Sequence, residues 1–256
     1  MKKGVVLFVA TMMCMLFVAC QTTEKTSIER TFLAGYEVGA GEEESEQKSA
    51  RVLMNLMSDG TAQFYVGALE NGKHSTVKYD GTYTLGENEE YDETISFSCT
   101  YAEGKTIETA DAVIIDDIFE SSFYLFGEMT ENEIKFYETS PASMDGDVYV
   151  GYMTKTGGMG AMVYAYSLCL KEDNTFDVSI MQMASVMHVW GSTSGTYVVD
   201  GENITFTYDI LTTEGEIVAE NEVAEGTEYS DTTLLAGFNI QQATMRASNA
   251  PFIKVK

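Results

Sequence analysis

The sequence predicts an all-β protein built as two tandem antiparallel up-and-down barrels of about eight strands each. Three observations carry this prediction: the 256-residue chain repeats itself, apolar residues alternate with polar residues in short runs, and 22 glycines supply turn positions. Alternation with a period of two is typical of strands that have one face in a core and the other in water. A long internal repeat indicates one structural unit used twice.

Composition and charge exclude several classes of protein. There are 40 acidic and 15 basic side chains, which gives a formal charge of −25. Affinity for nucleic acid comes from lysine and arginine on the phosphate backbone, so we expect no nucleic-acid partner. A polybasic membrane-surface domain is excluded for the same reason. With 45% hydrophobic residues the chain can form a core and is not generically disordered.

The amino terminus has the pattern of an export signal. Lys2 and Lys3 precede an uncharged stretch of sixteen residues from Gly4 to Ala19. This stretch is shorter than the ~20 residues that a transmembrane helix needs. We therefore predict a cleaved signal peptide over residues 1–19.

The apolar stretch ends in Leu16-Phe17-Val18-Ala19-Cys20. This segment resembles the lipobox of bacterial lipoproteins, with Phe17 at the place where the family usually has leucine. The resemblance implies that Cys20 is the lipidated, palmitate-carrying amino terminus and that residues 20–31 form a polar tether. The protein is then expected on the extracytoplasmic side of the cell membrane or outer envelope. Cleavage removes two lysines and no acid, so the mature charge is −27 and the acyl anchor is the expected membrane contact.

The repeat is anchored by two turn motifs. Asp59-Gly60-Thr61 matches Asp173-Asn174-Thr175, and Gly81-Thr82-Tyr83 matches Gly195-Thr196-Tyr197, both at an offset of 114 residues. Further matches, whose offset drifts with insertions in loops, are Gly35-Tyr36 with Gly151-Tyr152, Ile95–Ser98 with Ile204–Thr207, and Ile134–Phe136 with Ile253–Val255. We expect two domains of one fold, barrel 1 over 32–141 and barrel 2 over 142–256. A unit of ~110 residues is an ordinary domain size.

Within the first unit, apolar and polar residues alternate without exception from Thr94 to Tyr101. The strands predicted there are 32–38, 51–57, 61–69, 73–79, 82–85, 94–101, 121–127 and 132–138. Segment 106–119 fits either a strand or a short helix that closes one end of the barrel. Eight short antiparallel strands are expected to close, because closure removes exposed strand edges.

The order of these motifs resembles the lipocalin-like (calycin-type) domains found in many bacterial lipoproteins. It consists of a strand, Asp-Gly-Thr or Asp-Asn-Thr, an aromatic strand, Gly-Thr-Tyr, a hairpin and an alternating Ile-Thr-Phe-Thr strand. The resemblance covers both units from about Gly35 to Val255. It implies eight-stranded barrels and a binding or envelope-associated role.

Candidate ligand contacts are the aromatic residues expected at the barrel mouths, Tyr83, Tyr197 and Trp190. The only two histidines, His74 and His188, are also separated by 114 residues. They are either a paired binding site kept after duplication or inherited surface residues. Strand parity places His74 on the outer face of its strand.

Methionine suggests a metal site as an alternative. Thioether and imidazole groups suit Cu(I), which makes Met183, Met187 and His188 candidate ligands. In an unbroken strand Met181, Met183 and Met187 share a face that His188 does not. This parity favours methionine as adaptable core filling.

The remaining chemistry is sparse. Cys99 and Cys169 are expected to be buried and free, and no cysteine and histidine cluster has the spacing of a zinc site. The acidic runs 42–46 and 87–93 lack the pattern of a calcium loop and are expected to be solvated. No Gly-x-Ser-x-Gly, HExxH or P-loop motif occurs, so we expect neither catalysis nor a cofactor.

The leading functional hypothesis is a non-enzymatic, membrane-anchored extracytoplasmic lipoprotein that binds a small apolar ligand, a peptide or an envelope partner. One alternative is a metal (copper)-responsive envelope lipoprotein. A second alternative is a structural or adhesive surface module.

Overall fold

The computed structural model describes residues 26–38, 47–100, 104–157, 160–184, 187–211, 216–240 and 250–256. The secondary structure of these residues consists of β-strands, which form two antiparallel barrels. The predicted fold class is therefore confirmed. The signal peptide, Cys20 and the tether up to residue 25 lie outside the described residues.

Barrel 1 is an eight-stranded sheet that curls almost into a closed barrel. Its strands are β1 (Ile28–Val38), β2 (Lys48–Met57), β3 (Thr61–Glu70), β4 (Lys73–Gly86), β5 (Thr94–Thr100), β6 (Thr106–Val113), β7 (Ile118–Ser121) and β10 (Ile134–Thr139). A separate two-stranded hairpin between β7 and β10 consists of β8 (Tyr124–Leu125) and β9 (Glu128–Met129). The strand order is β6-β5-β4-β3-β2-β1-β10-β7, so β6 and β7 are the two edges.

Barrel 2 is closed. Its strands are β11 (Asp147–Gly157), β12 (Gly160–Leu170), β13 (Thr175–Ala184), β14 (Met187–Asp200), β15 (Asn203–Leu211), β16 (Ile217–Thr227), β17 (Thr233–Ala236) and β18 (Ala250–Lys254). Each strand pairs with its neighbour in sequence, and β18 returns to pair with β11. This is the up-and-down order that the sequence predicts.

Three local predictions for barrel 1 differ from the structure. The strands predicted at 73–79 and 82–85 are one strand, β4, which passes through Gly81 without a break. Segment 106–119 contains β6 and the start of β7, so the helical alternative is wrong. The strand predicted at 121–127 is also wrong, because after β7 the chain turns inward and buries Phe123 completely.

The repeated Asp-x-Thr turns are built identically. In barrel 1 the backbone N–H and the hydroxyl of Thr61 donate to Oδ1 of Asp59 at 3.0 and 2.5 Å. In barrel 2 Thr175 donates to Asp173 at the same two distances. These hydrogen bonds lower the pKa of both carboxyl groups. The sequence match thus reflects one turn geometry used twice.

The repeated glycines allow close strand contact. A Cβ atom at Gly81 would lie 2.3 Å from the carbonyl oxygen of Ser98, and one at Gly195 would lie 2.1 Å from that of Thr207. Real Cβ atoms do not approach that closely, so only glycine fits where β4 and β14 bend against their neighbours.

Both lumens are filled by side chains. In barrel 1 the stacked rings of Phe119 and Phe136 are 4.7 Å apart between centroids, and Phe123 packs on Phe136 at 5.8 Å. In barrel 2 the rings of Phe206 and Phe238 are 4.9 Å apart. All five rings are at most 1% exposed. Eight-stranded barrels are just wide enough to be filled in this way.

The two barrels pack against each other through their outer faces. Strand β1 packs on β12 while β2 packs on β11, and β3 packs on β18 while β10 packs on β13. In the repeat, β1, β2, β3 and β10 correspond to β11, β12, β13 and β18, respectively. Each of these contacts is therefore matched by the contact between the two corresponding strands, as an approximate twofold axis between the barrels requires. The interface core contains Leu33, Leu53, Tyr65 and Tyr137 of barrel 1 and Val148, Val150, Ala165, Cys169, Met181 and Val255 of barrel 2.

The centre of the interface is asymmetric. Strand pairing makes Gly35 equivalent to Tyr152, since their partners on the next strands, Arg51 and Ala165, are 114 residues apart. The sequence match of Gly35 with Gly151 is therefore one residue out of register. A Cβ atom at Gly35 would lie 2.3 Å from the ring of Tyr152. The missing side chain on one barrel thus makes room for the tyrosine of the other.

Arg51 is buried beside this tyrosine. Its side chain is 1% exposed, and its guanidinium lies 5.8 Å from the ring centroid of Tyr152 and 2.6 Å from Oε1 of Glu37. Burial lowers the pKa of Arg51, and the Glu37 carboxylate opposes that shift. The guanidinium also donates a hydrogen bond across the interface to the carbonyl oxygen of Tyr152 at 3.4 Å, and a different arrangement of the two barrels would lose this bond.

Candidate functional site

Tyr83 and Tyr197 each form a hydrogen bond to a backbone carbonyl within their own barrel. The hydroxyl of Tyr83 lies 3.0 Å from the carbonyl oxygen of Met57, and that of Tyr197 lies 2.9 Å from the carbonyl oxygen of Lys171. Burial raises the pKa of both phenols, which keeps them protonated as donors. In each barrel the bond spans 26 residues of sequence. The two tyrosines are thus equivalent structural ties.

His74 faces barrel 2, in agreement with its strand parity. Its Nε2 donates a hydrogen bond to the carbonyl oxygen of Lys254 at 2.9 Å. The histidine therefore joins β4 of barrel 1 to β18 of barrel 2. His188 occupies the equivalent position, opposite Met183 in the β13–β14 pairing, and its side chain lies outside the described part.

The strand pairing revises the predicted faces of the methionine segment. β13 ends at Ala184, β14 begins at Met187, and the two strands pair antiparallel, so the segment is not one unbroken strand. Met183 pairs with His188, Met181 with Trp190, and Met187 with Ala184. Directly paired residues share a face of the sheet, so His188 has the parity of Met183, whereas Met187 has the opposite parity. The side chains of Met187, His188 and Trp190 lie outside the described part.

A cavity of about 410 Å³ lies at one mouth of barrel 1. It is lined by inward-facing Val66 and Val77, by the rim residues His74 and Lys73, and by Phe126 of the segment that plugs the lumen. The aromatic filling described above lies below it. A small ligand would therefore reach the rim of this barrel and no further.

A second, larger cavity is a groove of about 1050 Å³ on the outside of barrel 1, along the seam between β6 and β7. Met183 of barrel 2 contributes to its wall. We call this feature the seam groove. Its lining residues from barrel 1 are 108–110, 112–113, 115–122, 133 and 135.

The seam exposes two strand edges. β6 and β7, both described throughout, share no backbone pairing. They are bridged at one end by the pairing of Ile115 with Ile118 and at the other by contact between the hydroxyls of Thr109 and Ser121. Between these bridges the inner edges of both strands have no partner strand. Unpaired edges are the usual place where a further strand adds to a sheet.

The two barrels carry different residues at one position of this seam. Barrel 2 closes where Gly226 of β16 pairs with Ala236 of β17. A Cβ atom at Gly226 would lie 2.7 Å from Cγ2 of Ile204 and 3.1 Å from the carbonyl oxygen of Leu235. In barrel 1 the equivalent position is Ala112, which has that Cβ atom. The closed and the open seam thus differ in a glycine and an alanine at equivalent positions.

The seam groove is acidic. Five carboxylate side chains line it, and Lys135 is the one basic side chain among the lining residues. The carboxylates belong to Glu108, Asp116, Asp117, Glu120 and Glu133. Lys135 forms an ion pair with Glu120 at 3.0 Å. The electrostatic field of the groove is thus negative and favours a cationic ligand.

Sequence reasoning did not identify this groove. Ten of its sixteen lining residues fall in segment 106–119, the one part of the first unit whose secondary structure the alternation left open. The one sequence difference that marks the seam is Ala112 of unit one at the place where unit two has Gly226. These two residues can be matched only once the strand register is known.

Further features of the described residues concern metals, membranes and thiols. Within the described ranges, no group of three or more His, Cys, Asp or Glu side chains is arranged to hold a metal ion. No helix among the described residues has the length and apolarity needed to cross a bilayer. Cys99 and Cys169 are buried and free, as expected. No protein-family model and no curated protein matches the chain.

Proposed function

We propose that this protein is a non-enzymatic, membrane-anchored extracytoplasmic lipoprotein that binds a peptide or an envelope protein partner at the seam groove. The observation that carries the proposal is the contrast between the filled lumens and the large open groove outside barrel 1. A ligand inside a lumen would have to displace fully buried phenylalanines, whereas the groove takes a ligand without repacking a core.

Photo-crosslinking in the producing cells tests where the partner binds. A photoreactive residue at Ala110, exposed in the groove, is compared with one at Val198, which is 69% exposed on β14 of the other barrel. We expect a defined crosslinked species from Ala110 and none from Val198. Equal crosslinking from both positions, or none from Ala110, would contradict a binding surface at the seam.

The lipid anchor is tested separately. If Cys20 carries the acyl chains, labelled palmitate enters the wild-type protein and not the Cys20→Ser variant, which is released from the membrane fraction. Labelling that persists in the variant would refute the anchor and leave the groove untouched.

A second candidate function, a copper-responsive envelope lipoprotein, is favoured by one observation. The strand pairing sets Met183 opposite His188, a thioether and an imidazole of the kind that Cu(I) prefers. Anaerobic Cu(I) titration of the Met183→Leu, His188→Ala variant is expected to show lost affinity. The matched Met187→Leu variant is expected to keep it, because Met187 has the opposite parity. Equal affinity of the double variant and the wild type would eliminate this function.

A further inference from the structure

We propose that barrel 2 carries a second ligand site, a pocket on its outer face that binds a neutral carbohydrate. The pocket has a volume of about 420 Å³ and lies where the chain segment 141–143, which joins the barrels, meets β12, β13 and β14. We call it the serine pocket, after Ser167, Ser179 and Ser192 in its wall. It shares no lining residue with the seam groove.

Three hydroxyl groups form a row across the floor of the serine pocket. Strand pairing sets Ser167 beside Ser179 and Ser179 beside Ser192, and directly paired residues share a face of the sheet. Adjacent strands lie about 4.8 Å apart, which is then the spacing along the row. Each hydroxyl can both donate and accept a hydrogen bond. The row can therefore pair with the hydroxyl groups of a sugar in either direction.

Two of these hydroxyls are buried without a partner in the protein. Ser167 is 3% exposed and Ser179 is 5% exposed, and both line the pocket. Among the described residues, no group pairs with either hydroxyl, and both oxygens are open to the pocket. A buried hydroxyl that lacks a hydrogen bond lowers stability. These two groups therefore point to a polar ligand that completes their hydrogen bonds.

Barrel 1 shows that the fold does not require an empty row at this place. The equivalent positions, 114 residues earlier and in the same strand register, hold Leu53, Tyr65 and Lys78. Leu53 and Tyr65 pack in the interface core, and Nζ of Lys78 lies 5.6 Å from the ring centroid of Tyr65. Close packing is the ordinary state of such a surface. The three serines of barrel 2 thus open a space that large side chains fill in barrel 1.

The charge of the lining selects a neutral ligand. Asp177 is the one charged side chain among the lining residues, and Lys171 pairs with it at 2.6 Å. Because no lysine or arginine lines the pocket, an anion would meet no cation there, in a protein of formal charge −25. A cation would have to displace Lys171. The volume lies within the range of small-molecule sites and has room for a mono- or disaccharide.

Sugar titration of the full protein tests the site. The protein is kept in a detergent without a sugar headgroup, and the probes are glucose, galactose, mannose, N-acetylglucosamine, maltose and lactose. Trp190 is the only tryptophan and lies two residues before Ser192 on β14, so fluorescence follows binding, and calorimetry gives the affinity. We expect at least one of these sugars to bind. Failure of all of them to bind overturns the proposal.

Variants of the row locate the bound sugar. Ser167→Ala, Ser179→Ala removes two hydroxyls and leaves the space, so we expect affinity to fall by about tenfold. Ser167→Leu, Ser179→Tyr installs the side chains of barrel 1, fills the pocket and should abolish binding. Ser98→Ala, on β5 of barrel 1, is the matched control and should bind as the wild type does. Circular dichroism checks that each variant keeps its β-sheet signal.

The outcomes decide between this pocket and any other sugar site. Unchanged affinity in the double alanine variant overturns the serine pocket even where a sugar binds, and it does so whether or not the filled variant folds. An equal loss of affinity in Ser98→Ala also overturns it. None of these results affects the seam groove, which crosslinking from Ala110 tests separately.

Discussion

Replacing Tyr83 and Tyr197 with phenylalanine tests whether these residues are structural ties or ligand contacts. Each variant keeps the ring, which packs against its barrel core, and removes one hydroxyl hydrogen bond to a backbone carbonyl. Both rings are only half-buried, so water can reach the carbonyl that loses its partner. A hydrogen bond in such a place contributes about 1 kcal/mol to the free energy of unfolding.

The two variants should therefore have nearly equal effects. We expect Tyr83→Phe and Tyr197→Phe each to lower the free energy of unfolding by about 1 kcal/mol. The double variant should lose about 2 kcal/mol, because the sites lie in different barrels and share no partner. Urea unfolding followed by circular dichroism measures this as a lower midpoint at an unchanged slope.

The control is Tyr91→Phe, in an exposed loop between β4 and β5, which should leave stability unchanged. Peptide binding at the seam groove should be the same in all four variants. An unaltered urea midpoint in both single variants, together with weakened ligand binding, would refute the structural reading and restore both tyrosines as ligand contacts.

Three further predictions concern the turns, the thiols and the interface between the barrels. The pKa values of Asp59 and Asp173 lie below their ordinary value, so the stability that they add is present above about pH 4 and lost as the pH falls through the lowered pKa. The Asp59→Ala, Asp173→Ala variant should therefore lose less stability than wild type in acid, and a parallel decline would contradict this. Burial raises the pKa of the Cys99 thiol to about 12 and also raises the pKa of the Cys169 thiol. Neither thiol should therefore react with a thiol reagent until the protein unfolds, and rapid labelling of the native protein would contradict this expectation. In Gly67→Ala the new Cβ atom would lie 2.0 Å from the carbonyl oxygen of Lys254 in β18, which should force the two barrels apart. Small-angle scattering should then show a larger radius of gyration while the β-sheet signal in circular dichroism is retained. An unchanged radius would contradict the close contact.

The features that could be predicted from the sequence are those set by local chemistry. Asp59-Gly60-Thr61 and its repeat predict a turn, because the aspartate carboxylate accepts hydrogen bonds from the threonine two residues later and the residue between them tolerates positive φ. Gly60 has φ of +81° and Asn174 has φ of +62°, which both residue types tolerate. The alternation in β5 identified one buried face, and that face is in the lumen.

The features that escaped prediction depend on contacts between distant segments. Every residue from Ala50 to Met57 in β2 is buried, because its second face lies against barrel 2. An apolar run of this kind indicates a buried strand without saying what covers it. The open seam was not predicted either, because Ala112 can be matched with Gly226 only once the strand registers of both barrels are known. The interface between the barrels and the open seam therefore depend on the pairing of distant strands, which the local alternation of apolar and polar residues does not reveal.

The most direct test of a binding surface at the seam groove is backbone hydrogen exchange of the full protein with and without a peptide that alternates lysine with valine. Amides of β6 and β7 that face the seam should exchange quickly in the free protein and become protected when the peptide binds. Amides of β16 and β17, the equivalent strands of the closed barrel, should not change. Protection confined to the mouth of barrel 1 around Val77, or binding without protection in β6, would contradict the account.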